Sequence, residues 1–146
     1  MKALFSFLLV GILFTAGCAS DDSSNVEAEA SYVADLIITD TVEGDGPIVE
    51  AGNIAVVHYT LWLYNADAEG GRGERLQSSK DSGTPFPFNV GQGRVIQGWD
   101  QGVPGMKVGG TRVLVIPYRL AYGETARPGI PAKSDLIFEI DLLEIQ

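Results

Sequence analysis

The sequence predicts an α+β domain in which five to six β-strands form an antiparallel sheet around one short helix. Eighteen glycines and seven prolines in 146 residues favour turns between short strands, and this composition excludes a helical bundle. Runs rich in β-branched and aromatic residues alternate with turn signals, whereas one short stretch alone is typical of a helix. A hydrophobic fraction of 45% suffices to bury a core, and the length fits one domain.

Composition and alternation predict three strands in the first half of the domain. Residues 35–42 form a β-rich run, which the turn Glu43-Gly44-Asp45-Gly46-Pro47 closes. Residues 53–64 form a longer run, in which alternation is clearest around His58. A polar, glycine-rich stretch over 65–74 predicts a flexible insertion, after which a strand resumes over 75–79.

The second half predicts three further strands and the helix. Residues 85–90 are a short strand whose two prolines, Pro85 and Pro87, indicate an edge or a bulge. Residues 95–101 are the predicted helix, bounded by glycines. The remaining strands are predicted over 111–117 and 135–145, the latter with four apolar side chains on one face: Leu136, Phe138, Ile140 and Leu142.

The N-terminal segment has the pattern of an export signal. A positive start is followed by an apolar run too short to span a bilayer comfortably and then by small residues, so 1–17 is predicted to be a signal peptide. The sequence Thr15-Ala16-Gly17-Cys18 resembles the lipobox of bacterial lipoproteins, with Thr15 where Leu is usual. The resemblance implies that Cys18 is lipidated and becomes the mature N-terminus. The alternative is a plain secretory signal with an incidental cysteine.

Residues 18–31 are predicted to be an acidic, flexible tether, which leaves 32–146 as the globular domain. The stretch is small and polar, with Val26 as its one sizeable apolar side chain, so it cannot bury enough surface to order itself. Ala19, directly after the cysteine, stands where an Asp retains many lipoproteins at an inner membrane. The expected location is the cell envelope, with the lipid anchor in the outer membrane and the domain facing the periplasm.

Charge and residue types exclude several classes of function. Ten basic and nineteen acidic residues give a net charge of -9, which argues against nucleic acid as a partner. One cysteine and one histidine rule out a disulfide framework and argue against a metal site. The loop Gly91-Gln92-Gly93 lacks the residues that complete a phosphate-binding motif. Ser78-Ser79 has no histidine partner beyond His58, which is predicted to be structural, and no nucleophile elbow is present.

Seven short motifs occur in one fixed order along the domain. They are His58-Tyr59-Thr60, Gln77-Ser78-Ser79, Gly83-Thr84-Pro85-Phe86, Val95-Ile96-Gln97-Gly98-Trp99, Gly105-Met106-Lys107-Val108-Gly109-Gly110, Leu120-Ala121-Tyr122-Gly123 and Leu136-Ile137-Phe138. The series closely resembles the FKBP-type immunophilins, which are peptidyl-prolyl cis–trans isomerases. The resemblance covers residues 31–146 and implies an FKBP-like half-barrel sheet curled round the helix, with a shallow apolar pocket between them.

The resemblance also implies the residues of the site. The catalytic pocket would consist of Tyr59, Phe86, Ile96, Trp99, Tyr122 and Phe138, with Trp99 as the floor under the substrate proline. The Ile96 N–H and the Tyr122 hydroxyl would anchor carbonyls of the bound peptide. Further substrate-binding residues would be Leu76, Gln77, Val95 and Ile130. No metal or cofactor is implied, because desolvation and hydrogen bonding would suffice.

The implied function is isomerisation of Xaa-Pro bonds in folding envelope proteins. Expected partners are proline-containing unfolded or flexible polypeptides, the membrane through the lipid anchor, and ligands of the macrolide immunosuppressant type. The sequence departs from the family at Leu76-Gln77, where Phe-Asp is usual, and at Ser82, where the arginine that pairs with that Asp is usual. This departure leaves open a weakly active or inactive proline-peptide-binding chaperone module. A structural or adhesion lipoprotein is a third alternative.

Overall fold

The computed structural model describes residues 32–146, so the predicted signal peptide (1–17), tether (18–31) and lipidation site Cys18 lie outside the described residues. Short 3₁₀ turns cover Glu69–Gly71 and Tyr118–Leu120. No helix in this part of the chain is long and apolar enough to cross a bilayer. The strands and the helix are β1 (Ile37–Val42), β2 (Ile54–Tyr64), β3 (Arg72–Ser78), β4 (Phe86–Asn89), α1 (Gln97–Gly102), β5 (Thr111–Ile116) and β6 (Leu136–Ile145).

The strands form one antiparallel sheet in the order β1-β5-β6-β2-β3, and β4 pairs with β2. The predicted α+β class, with a six-stranded sheet and one short helix, is confirmed. The long strand β2 has two partners along one edge, because β4 pairs with its first half and β3 with its second. Pro87 therefore lies in an edge strand, as predicted, and Pro85 directly precedes that strand.

The inward face of the sheet and α1 enclose the core. In β6 the predicted alternation places Leu136, Phe138, Ile140 and Leu142 in the buried cluster. The helix packs against β5 through two glycines one turn apart. A Cβ at Gly98 would lie 2.4 Å from a methyl carbon of Ile116, and a Cβ at Gly102 would lie 2.7 Å from Leu114. Glycine at both positions therefore lets the helix approach the sheet closely.

The predicted flexible insertion over 65–74 is wrong in its second half, because β3 begins at Arg72 rather than Arg75. Arg72 pairs with Tyr64 across the sheet, and its guanidinium contacts Glu139 at 2.6 Å and lies over the Trp62 ring, 5.1 Å from the centroid. Polar residues are tolerated here because Arg72 is only partly buried and Glu74 is exposed. Local composition therefore resembled a loop, whereas the pairing with β2 made a strand.

Arg112 is a charged residue that lies inside the core and connects α1 to the sheet. Its side chain is 9% exposed and donates hydrogen bonds to the carbonyl oxygens of Gly102 (2.8 Å) and Pro104 (3.1 Å), at the end of α1. It also binds both carboxylate oxygens of Asp40 in β1, at 2.5 and 2.9 Å. One side chain thus joins the helix end to two neighbouring strands.

Candidate active site

A cavity of about 630 Å³ opens between α1 and the concave face of the sheet. Aromatic and aliphatic side chains form most of its walls, and the polar side chains at it are those of Gln77, Arg94, Gln97 and Arg127 together with the Tyr59 and Tyr122 hydroxyls. Such an apolar pocket with a small number of placed polar groups is typical of a ligand site. The lining residues are Tyr59, Leu61, Gln77, Phe86, Gly93, Arg94, Val95, Ile96, Gln97, Trp99, Ala121, Tyr122, Arg127 and Phe138.

Trp99 forms the centre of the aromatic cluster at this cavity. Its indole is 3% exposed and packs edge-on against Phe88, Phe138 and Tyr59, with ring centroids 5.1, 5.3 and 5.4 Å apart. The Phe86 ring lies at 6.0 Å in the same orientation. The indole Nε1 is buried and has no hydrogen-bond partner among the described residues. Trp99 therefore provides a rigid apolar surface held by four neighbouring rings.

Two of the polar groups at the cavity are donors that have no acceptor in the described part of the chain. Within residues 32–146, the backbone N–H of Ile96 and the hydroxyl of Tyr122 donate no hydrogen bond to another protein group. Desolvation by the surrounding rings, with a smaller effect of nearby Tyr122, raises the pKa of the Tyr59 hydroxyl above its ordinary value of 10.0. The Tyr59 hydroxyl is consequently neutral throughout the neutral pH range.

The structure brings eight of the ten predicted pocket residues together at the cavity. These are Tyr59, Gln77, Phe86, Val95, Ile96, Trp99, Tyr122 and Phe138. The two others, Leu76 and Ile130, are not among the lining residues, and both pack against the hydrophobic core. Leu61 pairs with Gln77 and Trp62 with Arg75, so Leu76 is the extra residue of a β-bulge.

Six lining residues were not predicted: Leu61, Gly93, Arg94, Gln97, Ala121 and Arg127. Arg94 and Gln97 adjoin the predicted Val95-Ile96 pair, and Ala121 adjoins Tyr122, so sequence proximity was the available signal. Leu61 lies two residues after Tyr59 in β2 and therefore on the same face of the strand. Arg127 lies three residues before the predicted Ile130 in the same loop, and the folded loop places Arg127 rather than Ile130 at the cavity.

Hydrogen bonds within the protein account for the two motifs that could suggest a hydrolytic or a phosphate-binding site, namely His58 with Ser79 and the loop Gly91-Gln92-Gly93. The His58 ring Nδ1 lies 3.0 Å from the Ser79 hydroxyl oxygen, which also accepts the Tyr59 N–H at 2.9 Å, so this pair joins two strands. The N–H groups of Gly91 and Gly93 donate to the carboxylate of Asp100 at 2.9 and 2.8 Å. The loop therefore binds its own helix and has no amide donors left for a phosphate at those two residues. No group of three metal-ligating side chains occurs in the described part of the chain.

The chain resembles proteins of known family in sequence. Residues 46–143 match the family profile described as FKBP-type peptidyl-prolyl cis-trans isomerase. The FK506-binding protein of Streptomyces anulatus is 46% identical over 114 residues, an alignment that covers 77% of this chain and 87% of that protein. FK506-binding protein 4 of Saccharomyces cerevisiae is 42% identical over 111 residues, covering 76% of this chain and 26% of the yeast protein. The chain thus spans most of the first relative and about a quarter of the second.

Solved structures resemble the fold over the same part of the chain. The crystal structure of FkpA from Escherichia coli superposes with a TM-score of 0.65 at 35% identity, covering 76% of this chain and 48% of that chain. The crystal structure of AtFKBP13 superposes with a TM-score of 0.63 at 36% identity, covering 76% of this chain and 93% of that chain. The likeness in sequence and the likeness in fold therefore agree.

Proposed function

The chain belongs to the FKBP-type peptidyl-prolyl cis-trans isomerases, and from this premise we propose that it accelerates rotation about Xaa-Pro bonds in unfolded or flexible polypeptides of the cell envelope. The observation that supports the proposal is the aromatic cavity over Trp99, which is lined by the unused donors of Ile96 and Tyr122. In this proposal the proline ring lies on Trp99 between Tyr59 and Phe138. Macrolides of the kind named in its relatives are proposed to compete for the same cavity.

The proposed mechanism is desolvation of the amide together with hydrogen bonding. Resonance gives the peptide C–N bond double-bond character and a rotation barrier of about 18–20 kcal/mol. Water bonded to the amide oxygen favours the planar, more polar state, and an apolar pocket removes that water. A fixed donor such as the Ile96 N–H or the Tyr122 hydroxyl can then favour the twisted geometry. Lowering the barrier by about 5 kcal/mol would accelerate rotation by roughly 10³- to 10⁴-fold.

Isomerase activity that is nearly independent of pH is the first expected result. Because no acid or base takes part and the pKa of Tyr59 is raised, kcat/KM for an Xaa-Pro peptide should vary less than about twofold between pH 6 and 9. The Tyr59 hydroxyl ionises only above pH 10, so a decline is expected there. A protease-coupled assay at constant ionic strength measures this. A steep dependence near pH 7 would require a titrating group and would contradict the mechanism.

A substitution at Gln77 tests whether the chain is an efficient isomerase or a weakly active peptide-binding module. The side chain is exposed at the cavity, so an aspartate there would not pay the desolvation cost of a buried charge. Lys80 pairs with Asp141 at 2.6 Å, and Arg75 pairs with Asp81, so neither is available as a counter-ion. We therefore expect Gln77→Asp to raise kcat/KM by about fivefold or less, with little change in stability.

A double-mutant cycle with Ser82 tests the coupling. In the wild type the Ser82 hydroxyl donates to the Ser79 carbonyl at 3.1 Å, and no charge lies at this position. If the missing pair limits catalysis, Ser82→Arg should add to the effect of Gln77→Asp more than it changes the wild type. Purely additive effects on kcat/KM, or unchanged kcat/KM in all three variants, would show that the missing carboxylate does not limit this enzyme.

We further propose a lipid anchor at Cys18 that holds the enzyme at the outer membrane, facing the periplasm. The sequence Thr15-Ala16-Gly17-Cys18 and the acidic stretch that follows support this. Expressed in a bacterium, the wild type should partition into detergent and carry the mass of a diacylglyceryl group, whereas Cys18→Ser should stay in the aqueous phase. An unmodified thiol on an aqueous wild-type protein would contradict the anchor and leave the isomerase proposal untouched.

A further inference from the structure

Ion pairing divides the basic side chains of the domain into two groups. Nine of the ten Lys and Arg residues of the chain lie within residues 32–146. Two of them, Arg94 and Arg127, form no salt bridge in this part of the chain, and both line the cavity. The seven others each contact a carboxylate at 3.2 Å or less: Arg72, Arg75, Lys80, Lys107, Arg112, Arg119 and Lys133.

The charge at the cavity is opposite in sign to that of the whole chain. Acidic residues outnumber basic ones by nineteen to ten, yet the cavity lining contains no Asp or Glu. Gln77, the residue where the family usually has a carboxylate, is uncharged. In so acidic a protein, carboxylates are available to neutralise most cations, and the two cations at the cavity are the exceptions. An anionic group of the bound peptide would therefore meet two guanidinium groups that no carboxylate of residues 32–146 pairs with.

The Arg127 guanidinium lies beside one of the proposed peptide anchors, and Arg94 lines the cavity close in sequence to the other. The Arg127 guanidinium stacks over the Tyr122 ring, with its central carbon 5.4 Å from the ring centroid. Stacking holds the plane of an arginine while its N–H groups at the edge stay available for a carboxylate. Arg94 is exposed and lies two residues before Ile96, whose N–H is unused. Both arginines thus line the same cavity as the groups proposed to bind the backbone next to proline.

We propose that Arg94 and Arg127 are specificity-determining residues that select substrates with an Asp or Glu side chain next to the isomerised proline. The proposal rests on the proposed isomerase function and adds a substrate class to it. A carboxylate next to the Xaa-Pro bond can accept paired hydrogen bonds from a guanidinium. Because both arginines are exposed, each is expected to contribute about three- to fivefold at low salt, and salt should reduce the effect.

Matched peptides test the preference directly. The full chain is assayed by exchange NMR, which needs no protease with its own charge preference, on peptides that carry Glu, Gln or Lys either before or after the proline. At low salt, kcat/KM for Glu should exceed that for Gln by at least about three- to fivefold in at least one position, and Lys should be the poorest substrate. A ratio of Glu to Gln at or below one in both positions overturns the proposal. A fourth peptide carries phosphoserine at the same positions. If it is preferred over Gln while Glu is not, the choice of a carboxylate is overturned.

Variants assign the preference to the two arginines. Arg94→Gln with Arg127→Gln should bring the ratio of Glu to Gln close to one, whatever the two changes do to turnover of the Gln peptide itself. The two Lys replacements should keep most of the preference. Lys107→Gln removes a charge that pairs with Glu43 outside the cavity, and should keep the full ratio. An unchanged ratio in the double variant overturns the assignment. If the Gln peptide is isomerised without a Glu preference, only this inference fails, whereas no turnover of any peptide defeats the proposed function as well.

Discussion

Replacing Trp99 with leucine is expected to lower kcat/KM for an Xaa-Pro peptide by at least about tenfold while the chain still folds. The indole is the apolar surface of the cavity, and four aromatic rings hold it in place. Leucine keeps apolar volume but loses the flat surface on which a proline ring would lie, so a near-attack geometry would be poorly held.

The same substitution should also reduce stability. A buried aromatic residue replaced by a smaller one leaves a cavity, so we expect a loss of about 2–3 kcal/mol in the free energy of unfolding. The loss is partly offset because the buried Nε1 of Trp99 has no partner, and leucine removes this unsatisfied donor. Urea unfolding measures the stability term. Trp99→Phe keeps a ring and should retain more activity than Trp99→Leu at similar stability.

Trp62 provides the matched control for Trp99. It lies on the outer face of β2, under the Arg72 guanidinium, and does not line the cavity. Trp62→Leu should cost about 0.5–1 kcal/mol through the lost cation–π contact and should leave kcat/KM within about twofold. Binding of a macrolide or a proline peptide should change Trp99 fluorescence and not that of Trp62. Equal losses of activity in the two variants would contradict the role of Trp99 as the floor of the site.

Replacing Arg112 with methionine is expected to cost about 3 kcal/mol of unfolding free energy at pH 7. Methionine fills much of the volume, but the carbonyl groups of Gly102 and Pro104 lose their donor and Asp40 loses its partner. Asp40 is half-exposed and can be solvated, which limits the loss. Arg75→Met is the control, because its pair with Asp81 is exposed on both sides and should contribute much less to stability.

The pH dependence of stability provides a second measurement on this pair. Hydrogen bonding from Arg112 is the main reason that the pKa of Asp40 lies below its usual value, partial burial opposes it, and the positive charge assists. A lowered folded-state pKa contributes stability that is present above about pH 4 and is lost as the pH falls through the folded-state value. The stability difference between wild type and Arg112→Met should therefore shrink between pH 5 and 2. A difference that stays constant over this range would show that the pair with Asp40 contributes nothing.

Local sequence was sufficient to predict the elements whose pattern repeats over a few residues. The alternation of β6 is a local property, because successive side chains of a strand point to opposite faces whatever the strand pairs with. Pro85 and Pro87 likewise indicate an edge strand from the chain alone, since neither can donate to a central ladder. The aromatic residues of the cavity were predicted through a resemblance in the order of motifs, and Tyr59, Trp99 and Tyr122 do meet at one cavity.

Tertiary structure alone decided the features that depend on residues far apart in the chain. Arg72 and Glu139 are 67 positions apart and Arg112 and Asp40 are 72, so neither ion pair has a local signal. The extra residue at Leu76 exists only relative to its partner strand, and the bulge directs Gln77 rather than Leu76 to the cavity. The lack of a carboxylate partner for Arg94 and Arg127 within residues 32–146 is likewise a property of the fold. Whether a side chain has a counter-ion can be judged only from its neighbours in the folded structure, because charges pair through space and not along the chain.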